Sequence, residues 1–321
     1  MAPILEVTNL TKRFGETLVL RGVNLSAQRG TVLGVLGPNG AGKTTAINCL
    51  TTLLVPDGGE ARIAGYDVVK DPAAVRSLIG LTGQFAAVDE ALTARENLIL
   101  FGRLLRLKKN AAKRRADELL AQFELTEAAN RQVKTFSGGM RRRLDLAASI
   151  VVSPLVLFLD EPTTGLDPRS RQQLWAIVRD LKAQGITIVL TTQYLEEADA
   201  LADQIVVIDQ GQVIAEGTVD ELKDRVGGRF CEIRLEQIAD LAQAKRLLER
   251  MGFDCAQANP IDESEGKEEA VRTLTVAAPN GARTLTEIVV KLENEGIVLA
   301  DISLRRPSLD DVFFALTGHT T

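Results

Sequence analysis

Histidine and cysteine are scarce in this chain of 321 residues, which has one His, His319, and three Cys, at positions 49, 231 and 255. An odd number of thiols without C-x-x-C spacing, beside a lone imidazole, argues against a structural zinc centre and for reduced thiols in a cytosolic protein. Long apolar runs are missing too. The stretches around Leu155 to Leu159 and Ile186 to Leu190 are strand-length, bounded by Pro154, Asp160 and Gly185. Neither approaches the roughly 18 apolar residues of a membrane helix, so any passage across a bilayer is expected to belong to another chain. The stretch Met1 to Glu6 carries neither a basic leader nor an apolar core, so no secretory signal is expected. A basic excess is also lacking: 38 Lys and Arg stand against 43 Asp and Glu, a net charge of −5. Nucleic acid, whose phosphates attract clustered cations, is therefore not the expected partner.

What is present is an ordinary globular composition, 45% hydrophobic and 25% charged, with a length that suggests two domains. Its organising stretch is Gly37-Pro38-Asn39-Gly40-Ala41-Gly42-Lys43-Thr44-Thr45, preceded by the apolar run Val32 to Leu36 and followed by Ala46 to Leu50. The pattern G-x-x-x-x-G-K-[ST] between a strand and a helix is a phosphate cradle. Its glycines let backbone N–H groups point inward, the helix offers its positive end, and Lys43 adds a mobile cation. Thr44 is expected to offer a hydroxyl to Mg²⁺, and Thr45 a further phosphate contact.

Around that loop the pattern is α/β. Ile4 to Arg13, Leu18 to Leu20 and Val23 to Leu25 alternate like the strands of a β layer, Pro56 to Gly59 breaks the chain, and Glu60 to Gly65 and Ile79 to Gln84 follow as strands. From Thr93 to Phe123 the period turns helical, with Leu98, Phe101, Leu104 and Leu105 on one face and Ala116, Leu119, Leu120 and Phe123 on another. A basic cluster in this insert, from Arg103 to Arg115, is expected to be a solvated face. Val151 to Asp160 and Ile186 to Thr192, separated by a helix through Leu174, Ile177, Val178 and Leu181, have the signature of parallel strands covered on both sides. Asp209-Gln210-Gly211-Gln212 marks a hairpin. After a boundary at Leu222 to Gly228, strand, helix, strand, strand, helix and strand follow in a βαββαβ rhythm, with an acidic stretch at Asp262 to Glu269 and a last helix capped by Ser308.

Two further stretches carry chemistry. The apolar strand Leu155 to Leu159 ends in Asp160 and Glu161, which places one carboxylate to hold a Mg²⁺ shell and the next to activate water. In Thr135-Phe136-Ser137-Gly138-Gly139-Met140-Arg141, Ser137 is a natural N-cap, and Gly138 and Gly139 expose N–H groups where a helix over 141–150 begins. That makes a second anion site.

With Gly165-Leu166-Asp167 behind the carboxylate strand, residues 4 to 224 resemble the ATP-binding subunit of an ATP-binding-cassette (ABC) transporter. The resemblance implies a P-loop ABC nucleotide-binding domain over 1–224, with a RecA-like core, an antiparallel β layer and a helical subdomain at about 90–135. A small ferredoxin-like α+β module over 229–318 is expected to follow, for regulation or dimerisation. Carried over residue by residue, Phe14 stacks on adenine and Gln84 reaches the metal and the attacking water. Ser137 and Gly139 contact the γ-phosphate held by another copy, and Asp167 crosses the dimer interface. Where the family usually has a histidine, this sequence has Gln193, within Thr191-Thr192-Gln193-Tyr194-Leu195-Glu196-Glu197-Ala198-Asp199. A glutamine amide donates a hydrogen bond but cannot take up a proton near neutral pH, so slow turnover with Glu161 as the base is expected. Gln193→His should raise the ATPase rate and give it a pH dependence near the imidazole range; an unchanged rate and pH profile would contradict this.

That segment, with Ser-Gly-Gly-Met-Arg-Arg-Arg-Leu-Asp from Ser137 and Leu304 to Phe313, resembles the daunorubicin-resistance ATP-binding subunits of actinobacterial exporters. The resemblance implies ATP and Mg²⁺ as ligands, an integral membrane permease and a second copy of the chain as partners, and residence at the cytoplasmic face of the membrane. Cargo is expected among hydrophobic drugs, antibiotics or complex lipids. A soluble ABC ATPase serving the ribosome or DNA is the alternative, and the acidic charge counts against it.

Overall fold

The computed structural model describes residues 2–83, 87–225, 229–253, 255–257, 273–278, 280–305 and 309. Gln84, the acidic stretch 262–269, Ser308 and His319 lie outside the described residues. The chain divides into two compact units, Met1–Val219 and Asp220–Thr321.

The first unit contains two sheets. Strands β1 (Leu5–Phe14), β2 (Thr17–Ala27), β4 (Gly58–Ile63) and β5 (Tyr66–Asp67) form an antiparallel sheet in the order β2-β1-β4-β5. A six-stranded sheet has the order β10-β9-β3-β8-β7-β6, from β3 (Val32–Leu36), β6 (Ile79–Thr82), β7 (Val156–Asp160), β8 (Thr187–Thr192), β9 (Gln204–Asp209) and β10 (Gln212–Gly217). Every residue of β3, β7 and β8 is buried. Such continuous burial requires covering on both faces of a parallel sheet. Val32, Leu157, Leu159, Ile188 and Leu190 enter one core with Leu144 and Ala147 of α5 (Gly138–Ser149) and Leu174 and Val178 of α6 (Pro168–Ala183). Leu33, Val35, Phe158 and Val189 enter the other with Ile47 and Leu50 of α1 (Lys43–Leu50) and with β1 and β2. Each large side chain buried in these cores contributes about 1.5–3 kcal/mol.

The order matters because the loop-bearing β3 and the carboxylate-bearing β7 both flank β8. Leu36 pairs with Thr192, and Asp160 pairs with Thr191. Three strand ends thus converge at the carboxyl edge of the sheet, the customary ligand edge of an open α/β sheet.

Several boundaries differ from the sequence expectation. Gly58 and Gly59 open β4 instead of breaking the chain, and β7 begins at Val156, not Val151. The short β5 and α2 (Pro72–Leu78) carry too few residues for a periodic signal. In α3 (Ala94–Leu104), Leu98 is buried but Leu104 and Leu105 are exposed. The inward face runs through Ala94, Asn97, Leu98 and Gly102, and Leu104, six residues after Leu98, has rotated off it. Helix α4 (Lys109–Gln122) buries Ala116, Leu119 and Leu120, joined by Phe123. The basic cluster is not wholly solvated, since Arg115 donates to the carbonyls of Val151 and Ile150, both at 3.1 Å. It thereby satisfies carbonyls left open at the end of α5.

The unit is completed by α7 (Leu195–Leu201), and α8 (Val219–Arg225) spans the division. The second unit has β11 (Arg229–Leu235), α9 (Leu241–Arg250), β12 (Cys255–Gln257), β13 (Thr273–Ala278), α10 (Ala282–Asn294) and β14 (Leu299–Arg305). Its antiparallel sheet has the order β12-β13-β11-β14, with Cys231, Ile233 and Leu235 packing on Leu248 of α9 and Ile288 and Leu292 of α10.

Candidate functional site

The phosphate loop is pressed between neighbouring strands. A Cβ on Gly37 would stand 2.1 Å from the carbonyl oxygen of Ile208, so no side chain fits there. Gly42, with φ +106°, takes the left-handed turn that opens α1, and a Cβ there would meet the Leu20 side chain at 2.9 Å. The carbonyl of Ala41 accepts from Gly211, tying the loop to the β9–β10 hairpin at 3.0 Å. Asn39 and Gly40 are exposed at its tip, and Thr45 is half-buried on the first turn of α1. Lys43 is buried, and its ammonium donates to the carbonyls of Gly37 and Pro38 at 2.7 and 3.1 Å. Burial pushes this ammonium below the usual lysine range, while the carboxylates of Glu161 and Asp160 pull it back up.

The end of β7 meets the same point. Asp160 Oδ1 accepts from the Thr44 hydroxyl at 3.3 Å and from the Thr191 hydroxyl at 2.5 Å. Glu161 Oε1 lies 3.4 Å from Lys43 Nζ, and Oε2 accepts from the Thr164 hydroxyl at 3.4 Å. The backbone of Glu161 is left-handed, φ +46°, and its N–H donates to the Thr191 carbonyl at 3.1 Å and hydroxyl at 3.0 Å. A non-glycine residue held in that region costs of order 1–3 kcal/mol and persists only where its surroundings over-determine it. Here β8 does so.

The hydroxyl of Thr44 and the carboxylate of Asp160 are hard oxygen donors side by side at the start of α1. Among the described residues no group of three or more His, Cys, Asp or Glu could hold a metal. That donor set fits Mg²⁺, which is commonly bound through one or two protein oxygens together with substrate phosphates and water.

A second cluster forms at the start of α5. Ser137 is its N-cap and accepts from the Met140 N–H at 3.3 Å. Gly138 and Gly139 are its first helical residues, so the helix starts three residues before Arg141, and their N–H groups have no partner within the helix. A Cβ on Gly139 would stand 2.5 Å from Ser170 Oγ. Ser170 in turn donates through its N–H and hydroxyl to Asp167, at 2.9 and 2.6 Å. These bonds hold the Asp167 carboxyl below the usual range and make it the N-cap of α6. Ser137, Gly138, Gly139 and Asp167 are thereby brought together.

Phe14 ends β1 and is 47% exposed, so it is not a core residue. The Lys12 ammonium lies 5.7 Å from its ring centroid. Gln193 is half-buried immediately after β8, beside the strands that carry Leu36 and Asp160.

Three charged residues carry structure that their sequence pattern did not announce. Arg142 and Asp145 on α5 are buried, as is Glu197 on α7. Glu197 accepts from Trp175 Nε1 at 3.2 Å, and burial pushes its carboxyl above the usual range. Its position four residues before Leu201, on the inward face of α7, was the available signal. A raised folded value means that this group's contribution to stability is complete below the ordinary carboxylate pKa of about 4.3 and is lost as pH rises through the folded value. Glu197→Gln should therefore gain thermal stability relative to the parent chain as pH rises above about 4.3. Parallel melting curves across that range would contradict it.

A family model described as ABC transporter matches residues 20–164. The chain is 54% identical over 312 residues to the daunorubicin resistance ATP-binding protein DrrA2 of Streptomyces coeruleorubidus, covering 97% of this chain and 94% of that protein. It is 51% identical over 321 residues to the doxorubicin resistance ATP-binding protein DrrA of Mycobacterium tuberculosis, covering 100% and 95%. A solved ATP-binding cassette in a dimeric, post-hydrolysis state bound to ADP and Pi superposes with a TM-score of 0.61 at 27% identity, over 67% of this chain and 98% of that one.

Proposed function

Because the chain belongs to the ATP-binding subunits of ABC transporters, in the group of the daunorubicin and doxorubicin resistance proteins, we propose that it is the ATP-hydrolysing motor of a drug or antibiotic exporter. Its membrane passage is formed by a separate permease subunit. No helix among the described residues is long and apolar enough to cross a membrane. The chain then works from the cytoplasmic face.

The observation that carries the reading is the convergence of Lys43, Thr44, Asp160 and Glu161 at three adjacent strand ends. In the proposed mechanism the N–H groups of the loop and of α1 bind the phosphates of ATP, with the Lys43 ammonium moving from the loop carbonyls to the β- and γ-phosphate oxygens. Phe14 offers its exposed face to the adenine. Thr44 and Asp160 would hold Mg²⁺, with Gln84 as a further ligand, and the ion would supply positive charge against the charge that develops on the phosphates. Glu161, held by Thr191 and next to Lys43, takes a proton from the attacking water. Gln193 donates its amide N–H to the γ-phosphate, and Gln84 orients the water.

Two copies pair head-to-tail, so that Ser137, Gly138 and Gly139 of one complete the enclosure of ATP on the other, with Asp167 at the crossing point. ATP touches both halves only in the closed form, and that differential affinity drives closure. The dimeric state of the solved cassette supports the pairing of two copies. Purification of the tagged chain from detergent extracts should bring down an integral membrane protein. Recovery with ribosomes or DNA instead would favour the soluble alternative.

A further inference from the structure

Helix α5 carries a buried guanidinium one turn after the glycines of its N-terminus. Arg142, 9% exposed, sends Nε to the Pro162 carbonyl at 2.8 Å and Nη2 to the Asp160 and Glu161 carbonyls at 3.1 and 3.2 Å. Its Nη1 reaches the Gly83 carbonyl at 2.5 Å, just past β6, and lies 3.8 Å from Asp145 Oδ2. Asp145, 4% exposed, accepts the Ala87 N–H at 2.7 Å through its other oxygen. One side-chain pair on α5 therefore fastens the backbone of both site carboxylates, the residue after them, and residues 83 and 87.

A planar guanidinium with five donors can span such a set of carbonyls, whereas a lysine ammonium is a single point. Taking these charges out of water is costly unless every donor is used, and such a network fixes one relative placement of the elements it joins. The elements are unlike in role. The carboxylate strand serves the chain's own ATP, while the start of α5, on the head-to-tail reading proposed above, serves the ATP of the other copy.

We propose that Arg142, seated by Asp145, is a positioning residue that couples the two ATP sites. It ties the placement of Ser137 to Gly139, offered to one nucleotide, to the backbone of Asp160 and Glu161, which act on the other. The inference rests on the two-copy reading. Coupling between sites is commonly worth about 5- to 150-fold in affinity.

The test uses the full chain. In Arg142→Lys, binding of a fluorescent ATP analogue to the dilute monomer should stay within about twofold of the parent, because the phosphate loop is untouched. The ATPase Hill coefficient should fall towards one and kcat should drop about tenfold or more. In a Glu161→Gln background, the ATP-dependent dimer should require about tenfold more protein. Asp145→Asn, which keeps an acceptor for the Ala87 N–H, should retain most of the cooperativity, and Asp145→Ala should lose it. Unchanged cooperativity and dimerisation in Arg142→Lys would overturn the proposal, as would an equal loss of monomer nucleotide binding, which marks a merely structural role. If Arg142→Lys fails to fold, Asp145→Ala is measured in the same way, and the same results support or overturn the coupling. A Glu161→Gln chain that does not dimerise with ATP, with Arg142 intact, would remove the two-copy reading and this inference with it.

Discussion

Glu161→Gln is expected to cut ATP turnover by about 100- to 10,000-fold, the usual contribution of a positioned general base, while leaving ATP binding close to that of the parent chain. The amide keeps the shape of the carboxylate, and the backbone N–H of Glu161 keeps both bonds to Thr191, at 3.0 and 3.1 Å. The left-handed turn at this position therefore survives. The variant loses the ability to accept a proton from water, and its amide no longer pairs with the Lys43 ammonium at 3.4 Å. Binding without hydrolysis should accumulate the ATP-bound closed form, visible as a stable dimer by light scattering with Mg²⁺ present. Chelating the metal should abolish turnover in the parent chain. A Glu161→Gln protein that hydrolyses ATP within a few-fold of the parent would transfer the base role to another residue.

Lys43→Ala is expected to weaken ATP binding by about 10- to 150-fold, the equivalent of about 1.5–3 kcal/mol for hydrogen bonds to a charged group. Two effects act together. Lys43 is buried and donates to the carbonyls of Gly37 and Pro38, so its removal leaves those carbonyls short of a donor and loosens the loop. It also leaves Asp160 and Glu161, which had pulled its ammonium back up towards the usual lysine range, without a cation to offset the phosphates. Both effects weaken nucleotide binding, so titration with a fluorescent ATP analogue should show the loss even before turnover is measured. Affinity within twofold of the parent would contradict the role assigned to Lys43.

The nucleotide loop was legible in the sequence because its constraints are local. A tight turn needs glycine at its own position, and the strand and helix on either side announce themselves by period. Asp160 and Glu161 were legible for a related reason, since a buried strand must expose its first polar residues at its end. Less legible was whatever depends on a distant neighbour. Arg142 and Asp145 sit in a run of charged residues that looks solvated, and only the packing of α5 against β6 and β7 turns them inward. Glu197 was hidden in the same way, on a helix of seven residues. Leu104 and Leu105 erred in the opposite direction: apolar character suggested an inner face, but at 68% and 48% exposure they lie on the outer side at the end of α3. Arg115 was placed in solvent for its charge, yet its donors close carbonyls at the end of α5. Pattern thus located the residues that converge at the sheet edge, and tertiary contact decided which charges hold them in place.

Head-to-tail closure around ATP is tested most directly by cross-linking between two singly substituted chains, one Asn39→Cys and the other Gly138→Cys, both in the Glu161→Gln background. Asn39 is exposed at the tip of the phosphate loop, and a Cβ on Gly138 meets nothing nearer than 3.9 Å, while Cys49, Cys231 and Cys255 are buried. A short bis-maleimide should join the chains only when both are mixed and ATP with Mg²⁺ is present. No cross-link in the mixture, or an equal yield without ATP, would contradict a site completed by Ser137 to Gly139 of a second copy.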